Sequence, residues 1–333
     1  MDLRGSRRSR TDLGEAVRGA LVVGLALGLG CGAMEVRLTR PIEEDLVALL
    51  PSGAELVADF DMVQLRTWSM TSRILAILPA PVRTQLELVG LGPRSDVDAV
   101  VMAFYRIGDP DNKGEVALNA AVLVRGEMPA ELAAKTSEYR GVALGERQGH
   151  VFGTLKSRLH LWGSKAEVLR AIDLFRGEGE SVRSARSDRG VRDALGRAPT
   201  AKVGRPALMA GVVISPTLLE RLRKEKLFTD DIEWAAASLA VGQGFDIGAI
   251  WRARGAAEAQ DQIGTLTGLI SRWQSRMWVK AVGLVHLFDP VVLVPKNGEV
   301  HLAFRVPEAQ LERSLSIFER VVPGPSGSAS GKR

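Results

Sequence analysis

The residues best suited to bind a metal or transfer a proton are four histidines: His150, His160, His286 and His301. Helical zinc motifs place two ligands three or four positions apart, and no two of these histidines have that spacing. His160 and His301 alternate with apolar residues in two predicted strands. We therefore expect solvated side chains on the polar face of each strand. The alternative is that both line one shared groove as paired ligands.

Two pairs of carboxylates are candidates for acid–base chemistry: Asp59 with Asp61, and Asp96 with Asp98. Neighbouring carboxylates can differ in pKa and so act as acid and base. Asp61 lies three residues before Gln64 at a predicted helix start, and Asp96 follows a turn, so capping and turn roles are favoured. The alternative is a hydrolase that acts on envelope material through dispersed carboxylates such as Asp59 and Asp98.

The sequence lacks the short motifs that position a nucleophile or a phosphate group. Gly-x-Ser-x-Gly, Ser-x-x-Lys and His-Glu-x-x-His are all missing. The glycine-rich segments 90–92 and 242–244 continue into neither a phosphate-binding nor a dinucleotide-binding motif, which favours turns. We therefore predict no catalytic residue, no metal and no cofactor, and we expect a noncatalytic protein.

The only cysteine, Cys31, excludes a disulfide framework and thiolate-rich metal sites. Five arginines precede an apolar run at 20–29, which ends in small residues around Cys31. This order of charge, apolar run and small residues is typical of a secretory signal. The run has about 10 residues where a bilayer-spanning helix needs about 20. A single-pass anchor that reaches Met34 is an alternative.

The end of this run resembles the lipobox of bacterial lipoproteins, in which the cysteine becomes the lipidated N-terminus. Gly30 fits the position before the cysteine, whereas Gly28 and Leu29 depart from the usual leucine and small residue. The resemblance implies that Cys31 is lipidated and anchors the chain to a membrane of the cell envelope, facing the periplasm or the cell exterior. A simple export signal with an incidental cysteine is the alternative.

Composition excludes disorder and argues against nucleic-acid binding. The chain has 333 residues, of which 46% are hydrophobic and 25% charged, enough for one large or two modest domains. The 44 basic and 39 acidic residues give a net charge of +5. The two Tyr and nine Phe offer few aromatic rings for base stacking, so no nucleic-acid partner is expected.

Predicted strands and helices alternate, and their order recurs at an offset of roughly 130 to 150 residues. In both halves a turn and a strand, at 159–162 and at 300–304, precede a helix, at 164–175 and at 307–321. Ser164 and Glu167 have capping-box spacing at the start of the first of these helices. The repeated order indicates an internal duplication. An unrelated alternation of common elements is the alternative.

Runs of strands joined by short turns indicate an α+β fold: two similar modules of mainly antiparallel sheet with helices packed on one face. The predicted order is a signal peptide at 1–31, a tether at 32–44, a first module at 45–175, a linker at 176–206 with a short helix at 188–195, a second module at 207–322 and a disordered tail at 323–333.

Two further surfaces are candidates for binding. A predicted helix carries Arg221, Arg223 and Lys224, which would face anionic lipid headgroups if the tether holds the domain near a membrane, or simply form a solvated helix face. A second helix has an apolar stripe that is usually core, and near its end Trp273 and Trp278 would line the mouth of an apolar pocket.

The segment 50–59 begins with Leu-Pro and ends as a strand at Asp59. It resembles the opening of the mature part in uncharacterised families of exported bacterial proteins. The resemblance implies a cellular location and a fold but no activity. We therefore expect a noncatalytic envelope lipoprotein with a binding or scaffolding role, whose partner is an envelope protein or an apolar ligand.

Overall fold

The computed structural model describes residues 45–77, 96–105, 119–127, 137–147, 149–178, 183–199, 206–224, 232–275 and 290–321. The strands in this part of the chain are β1 Leu56–Asp61, β2 Val97–Tyr105, β3 Asn119–Gly126, β4 Ser137–Tyr139, β5 Val142–Arg147, β6 His150–Lys156, β7 Leu159–Gly163, β8 Leu208–Val213, β9 Ile232–Gly242, β10 Gly244–Ala253, β11 Val292–Lys296 and β12 Glu299–Pro307. The helices are α1 Met62–Thr67, α2 Thr71–Ile77, α3 Lys165–Arg176, α4 Arg189–Arg197, α5 Pro216–Lys224, α6 Ala256–Ser275 and α7 Glu308–Val321, with 3-10 turns at Leu46–Leu49 and Ala185–Ser187.

All these strands belong to one sheet, in which each strand pairs with its neighbours in antiparallel fashion. The spatial order is β11-β12-β10-β9-β8-β1-β2-β3-β7-β6-β5-β4. The α+β class with a mainly antiparallel sheet is therefore confirmed. The strands of the first and second halves meet at the centre, where β1 pairs with β8.

Opposed residues on neighbouring strands share a face of the sheet. Val57 is opposite Gly211 on one side and Ala103 on the other, and all three lie on what we term the front face. Ala58 and its partner Met102 lie on the back face. Following the register across all strands assigns each core cluster to one face.

Helices cover both faces, so the prediction that they pack on one face is wrong. Helix α3 buries Val168 and Ile172 against front-face residues such as Leu161. Helix α7 buries Leu311 against back-face residues such as Phe304. Because the central strands are apolar on both sides, as in the Val-Val-Met-Ala-Phe run of β2, neither face can be left in water.

The turn predicted before the strand at 300–304 is confirmed, and its sequence is Lys-Asn-Gly at 296–298. Lys296 pairs with Glu299, which leaves a two-residue loop of Asn297 and Gly298 between β11 and β12. Both loop residues have positive φ, 54° and 75°, as a type I′ hairpin turn requires. This local chemistry fixes the register of the last hairpin.

The two predicted helix caps have different outcomes. Asp61 caps α1 as expected: its Oδ1 accepts from the backbone N–H of Gln64 at 3.0 Å, and the Gln64 amide donates to Oδ2 at 2.8 Å. The capping box at Ser164 is wrong. The Ser164 hydroxyl makes no cap hydrogen bond, and Glu167 instead accepts from Arg170 at 2.6 Å.

Candidate functional site

His160 lies on β7 and is held by two neighbours on the back face. Its Nε2 is 3.1 Å from the carbonyl oxygen of Gly126, and its Nδ1 is 3.1 Å from the hydroxyl of Thr154. A carbonyl can only accept, so Nε2 carries the proton and Nδ1 accepts from Thr154. Burial lowers the pKa of His160, while the bond to Gly126 opposes that shift.

His301 lies on β12 and is buried, with 9% of its surface exposed, so the expectation of a solvated histidine is wrong here. Its Nε2 has no hydrogen-bond partner and lies 3.4 Å from the carboxylate of Glu299. Burial lowers the pKa of His301, the Glu299 charge opposes the shift, and Lys296 adds to it. The ring is therefore a neutral group beside a buried carboxylate.

The two histidines do not share a groove. His160 lies opposite Val124, on the back face, and His301 lies opposite Ile250, on the front face. Six strands separate β7 from β12 in the sheet order, which places the two side chains roughly 30 Å apart. The alternative of paired ligands is thereby excluded.

The structure does not bring the candidate carboxylates together. Asp59 is opposite Val101, three positions along β2 from Asp98, or roughly 10 Å at about 3.3 Å per residue. Asp98 instead pairs with Arg158 at 3.2 Å. Within the described residues, no three His, Cys, Asp or Glu side chains cluster closely enough to hold a metal ion.

Two of the three exposed large apolar side chains among the described residues lie on strand β11, at one edge of the described sheet. Val292 and Val294 are 52% and 43% exposed and lie two positions apart on the front face. Val292 is opposite Ala303, a small residue, and Val294 is opposite His301. We term Val292, Val294 and Ala303 the β11 patch.

The backbone of β11 limits how another strand could add to this edge. Val294 pairs with His301 and Lys296 with Glu299 across the hairpin. The intervening residues Leu293 and Pro295 direct their backbone groups away from β12, as alternation in an antiparallel ladder requires. Because proline has no N–H, Pro295 removes one donor from this edge of the described sheet, which blunts strand addition near the turn.

A charged network borders the β11 patch. Glu299 accepts from Arg197 at 2.5 Å and lies 3.7 Å from Arg252. Arg197 also lies over the ring of Trp234, 5.2 Å from its centroid. At the other end of the patch, Arg305 is 3.5 Å from Asp246. The apolar patch is therefore flanked by ion pairs, as the rim of a protein interface commonly is.

The residues predicted as binding surfaces are mostly beyond what the structure describes. Arg223 is exposed on α5, whereas the side chains of Arg221 and Lys224 on the same helix are outside the described set. Trp278 and Cys31 also lie outside the described residues, as does the side chain of Trp273 near the end of α6.

The stripe on α6 belongs to the core. Ala259 is fully buried, and Ile263 and Leu266 pack against the same cluster as Trp251. The indole N–H of Trp251 donates to the side-chain oxygen of Gln262 at 2.6 Å. None of the helices in the described ranges is both long and apolar enough to cross a bilayer.

Comparison with known proteins gives no family. No family model matches the sequence, and no curated protein matches it. Among solved structures, crystal form III of a protein named TP0453 has a TM-score of 0.46 at 8% identity, over 82% of this chain and 97% of that chain. Crystal form I of the same protein has a TM-score of 0.44 at 8% identity, over 83% and 98%. Crystal form IV has a TM-score of 0.42 at 11% identity, over 82% and 95%.

Proposed function

We propose that this chain is a noncatalytic lipoprotein of the cell envelope, lipidated at Cys31, that binds a partner protein through the β11 patch. The anchor half of the proposal is supported by the lipobox-like end of the N-terminal signal. The binding half is supported by the exposed valines of β11. The two halves depend on different residues and can be tested separately.

The observation that carries the binding role is the concentration of exposed apolar surface on one strand. Among the described residues, three large apolar side chains are exposed: Val63, Val292 and Val294. Two of these three lie on β11 and face the same way. Single exposed apolar residues are ordinary on a protein surface, whereas adjacent ones bordered by charged residues are typical of an interface.

The binding free energy expected from the β11 patch is modest. Full burial of a valine side chain contributes about 1.5–3 kcal/mol, so covering the exposed half of Val292 and Val294 contributes roughly 1 kcal/mol each. Two such contacts stabilise a weak complex. Where the partner is bound to the same membrane, acylation of this chain raises the effective concentration, so that a weak contact suffices.

The binding role is tested by photo-crosslinking in cells, with a photoreactive amino acid in place of Val294 and, as the matched control, in place of Val63. We expect a discrete adduct from position 294 that is lost when Val292 is changed to Ser, and no such adduct from position 63. Equal adducts from both positions would show that the β11 patch has no special role.

We also infer that the chain contains two copies of one module. The strand orders β1-β2-β3-β7-β6 and β8-β9-β10-β12-β11 are equivalent when read outward from the centre, which supports the duplication. The helices that follow β7 and β12 pack on opposite faces, so the copies would have diverged in their helical layers. A second copy that folded when expressed alone would support the inference, and an unfolded one would count against it.

A further inference from the structure

An arginine-rich segment lies on the front face, beside the start of the folded body. Arginines recur at every third position: Arg183, Arg186, Arg189 and Arg192. The segment comprises the 3-10 turn Ala185–Ser187 and the first half of α4. This spacing places the arginines of α4 on one side of that helix.

The packing of α4 determines which side this is. Val191 and Ala194 are fully buried, Ala194 in the cluster that also contains Ala236 of β9. The side chains of Arg189 and Arg192, on the opposite side of the helix, are 88% and 57% exposed. Both arginines therefore project from the front face into solvent.

The acidic residues of this segment offset only part of its charge. Asp188 caps α4, since its Oδ1 accepts from the backbone N–H of Gly190 at 3.1 Å. Asp193 lies 3.6 Å from Arg189 and 3.4 Å from Arg192, so one carboxylate serves two guanidinium groups. The exposed surface of the segment keeps a net positive charge.

The segment is attached to the residues that follow the proposed tether. Ala185 donates its N–H to the carbonyl of Leu50 at 2.7 Å, and Pro51 forms a bridge with Ser184. The guanidinium of Arg186 forms an ion pair with Asp45, the residue that directly follows the tether. The tether, about 13 residues at 32–44, reaches at most about 45 Å when extended.

We propose that Arg183, Arg189 and Arg192 bind anionic phospholipid headgroups of the membrane that holds the acylated Cys31. This inference rests on the anchor in the proposed function and adds the surface that faces the membrane. An acyl chain together with a basic patch gives stable membrane binding, whereas a single acyl chain alone binds only marginally. Because Asp45, which follows the tether in sequence, contacts Arg186 of this segment, the anchor would bring these charges within reach of the headgroups.

The test uses the mature chain from position 31 onward with Cys31→Ser, so that neither acylation nor the basic N-terminal signal masks the contribution of the arginines. The variant combines Arg183→Gln, Arg189→Gln and Arg192→Gln, and keeps Arg186 because it pairs with Asp45. The matched control removes the same charge from exposed arginines elsewhere on the described surface: Arg254→Gln, Arg272→Gln and Arg313→Gln. Circular dichroism verifies that both triple variants are folded.

Binding is measured by co-sedimentation with vesicles of phosphatidylglycerol and phosphatidylcholine in equal parts, and with vesicles of phosphatidylcholine alone. Each arginine near an anionic membrane surface raises the binding affinity about fivefold. The segment variant lacks three arginines and should therefore bind the anionic vesicles more than tenfold more weakly than the parent chain. The control variant should bind them nearly as well as the parent. Neither variant should alter binding to phosphatidylcholine, and salt at about 1 M should remove the difference.

Equal loss of binding in both triple variants would overturn this inference, and so would no loss in the segment variant. Binding of a DNA duplex by these arginines, without preference for anionic vesicles, would assign the surface to another partner and also overturn it. The anchor itself is tested by acylation of Cys31, not by vesicle binding. A chain that is acylated yet indifferent to the arginine substitutions would refute the membrane-facing surface and leave the proposed function standing.

Discussion

The guanidinium of Arg197 in the last turn of α4 donates to the carboxylate of Glu299 at the start of β12, at 2.5 Å and across 102 residues of sequence. The contact joins the helix that lies over the centre of the sheet to the hairpin at its edge. Glu299 is largely buried, with 13% of its side chain exposed, whereas half of the Arg197 side chain is in water.

Removing this carboxylate should destabilise the fold. We expect Glu299→Gln to lower the free energy of unfolding by about 1–2 kcal/mol, a value reduced by the solvent around Arg197. Urea denaturation measures the change. Asp193→Asn, whose arginine partners are exposed, is the control and should change stability by less than about 0.5 kcal/mol. Equal losses of stability in the two variants would show that burial does not strengthen the ion pair between Glu299 and Arg197.

Two glycines should respond in opposite directions to alanine. Gly163 has a φ of +155°, and a Cβ there would overlap the carbonyl oxygen of Ala120, so Gly163→Ala should cost about 3 kcal/mol or more. Gly264 lies in α6 with nothing near its Cβ position, so Gly264→Ala should raise stability by about 0.5–1 kcal/mol. Thermal melts show whether each variant is more or less stable than the parent chain. A stabilised Gly163→Ala would contradict the strand pairing of β3 with β7.

Stability should fall in mild acid because of two histidines. The pKa values of His160 and His301 are both below the usual 6.5 in the folded protein, so the unfolded chain binds more protons. The contribution of these two histidines to the free energy of unfolding is therefore complete above pH 6.5 and is lost as the pH falls below that value.

The pH effect is measured by urea denaturation between about pH 7.5 and 5. His301→Gln and His160→Gln should each flatten the decline in stability below pH 6.5. A decline that persists in the double variant His160→Gln/His301→Gln would assign the acid sensitivity to other groups.

Features set by neighbouring residues were predictable from the sequence. The Asn297-Gly298 turn, the Asp61 cap and the apolar stripe of α6 each depend on residues close together in the chain, and each is confirmed. The predicted helix at 188–195 is likewise confirmed as Arg189–Arg197, with Asp188 as its cap. Turn and cap chemistry acts over three or four residues, so it can be recognised without knowledge of the fold.

Features that depend on which strands become neighbours were not predictable in this way. His301 alternates with apolar residues as a solvated strand residue does, yet it is buried beside Glu299. Val292 and Val294 belong to an apolar run that is typical of a buried strand, yet the sheet order places β11 at an edge. Strand order depends on contacts between residues distant in sequence, such as the pairing of Ala58 in β1 with Ala210 in β8, which local pattern does not encode.

The measurement that tests the account most directly is metabolic labelling of cells with a palmitate analogue, followed by fractionation, for the native chain and for Cys31→Ser. We expect label on the native protein in the envelope fraction and none on the variant. A native protein that is unlabelled, cytosolic and still carries Met1 and a free thiol at Cys31 would contradict the envelope lipoprotein and the membrane-facing role built on it.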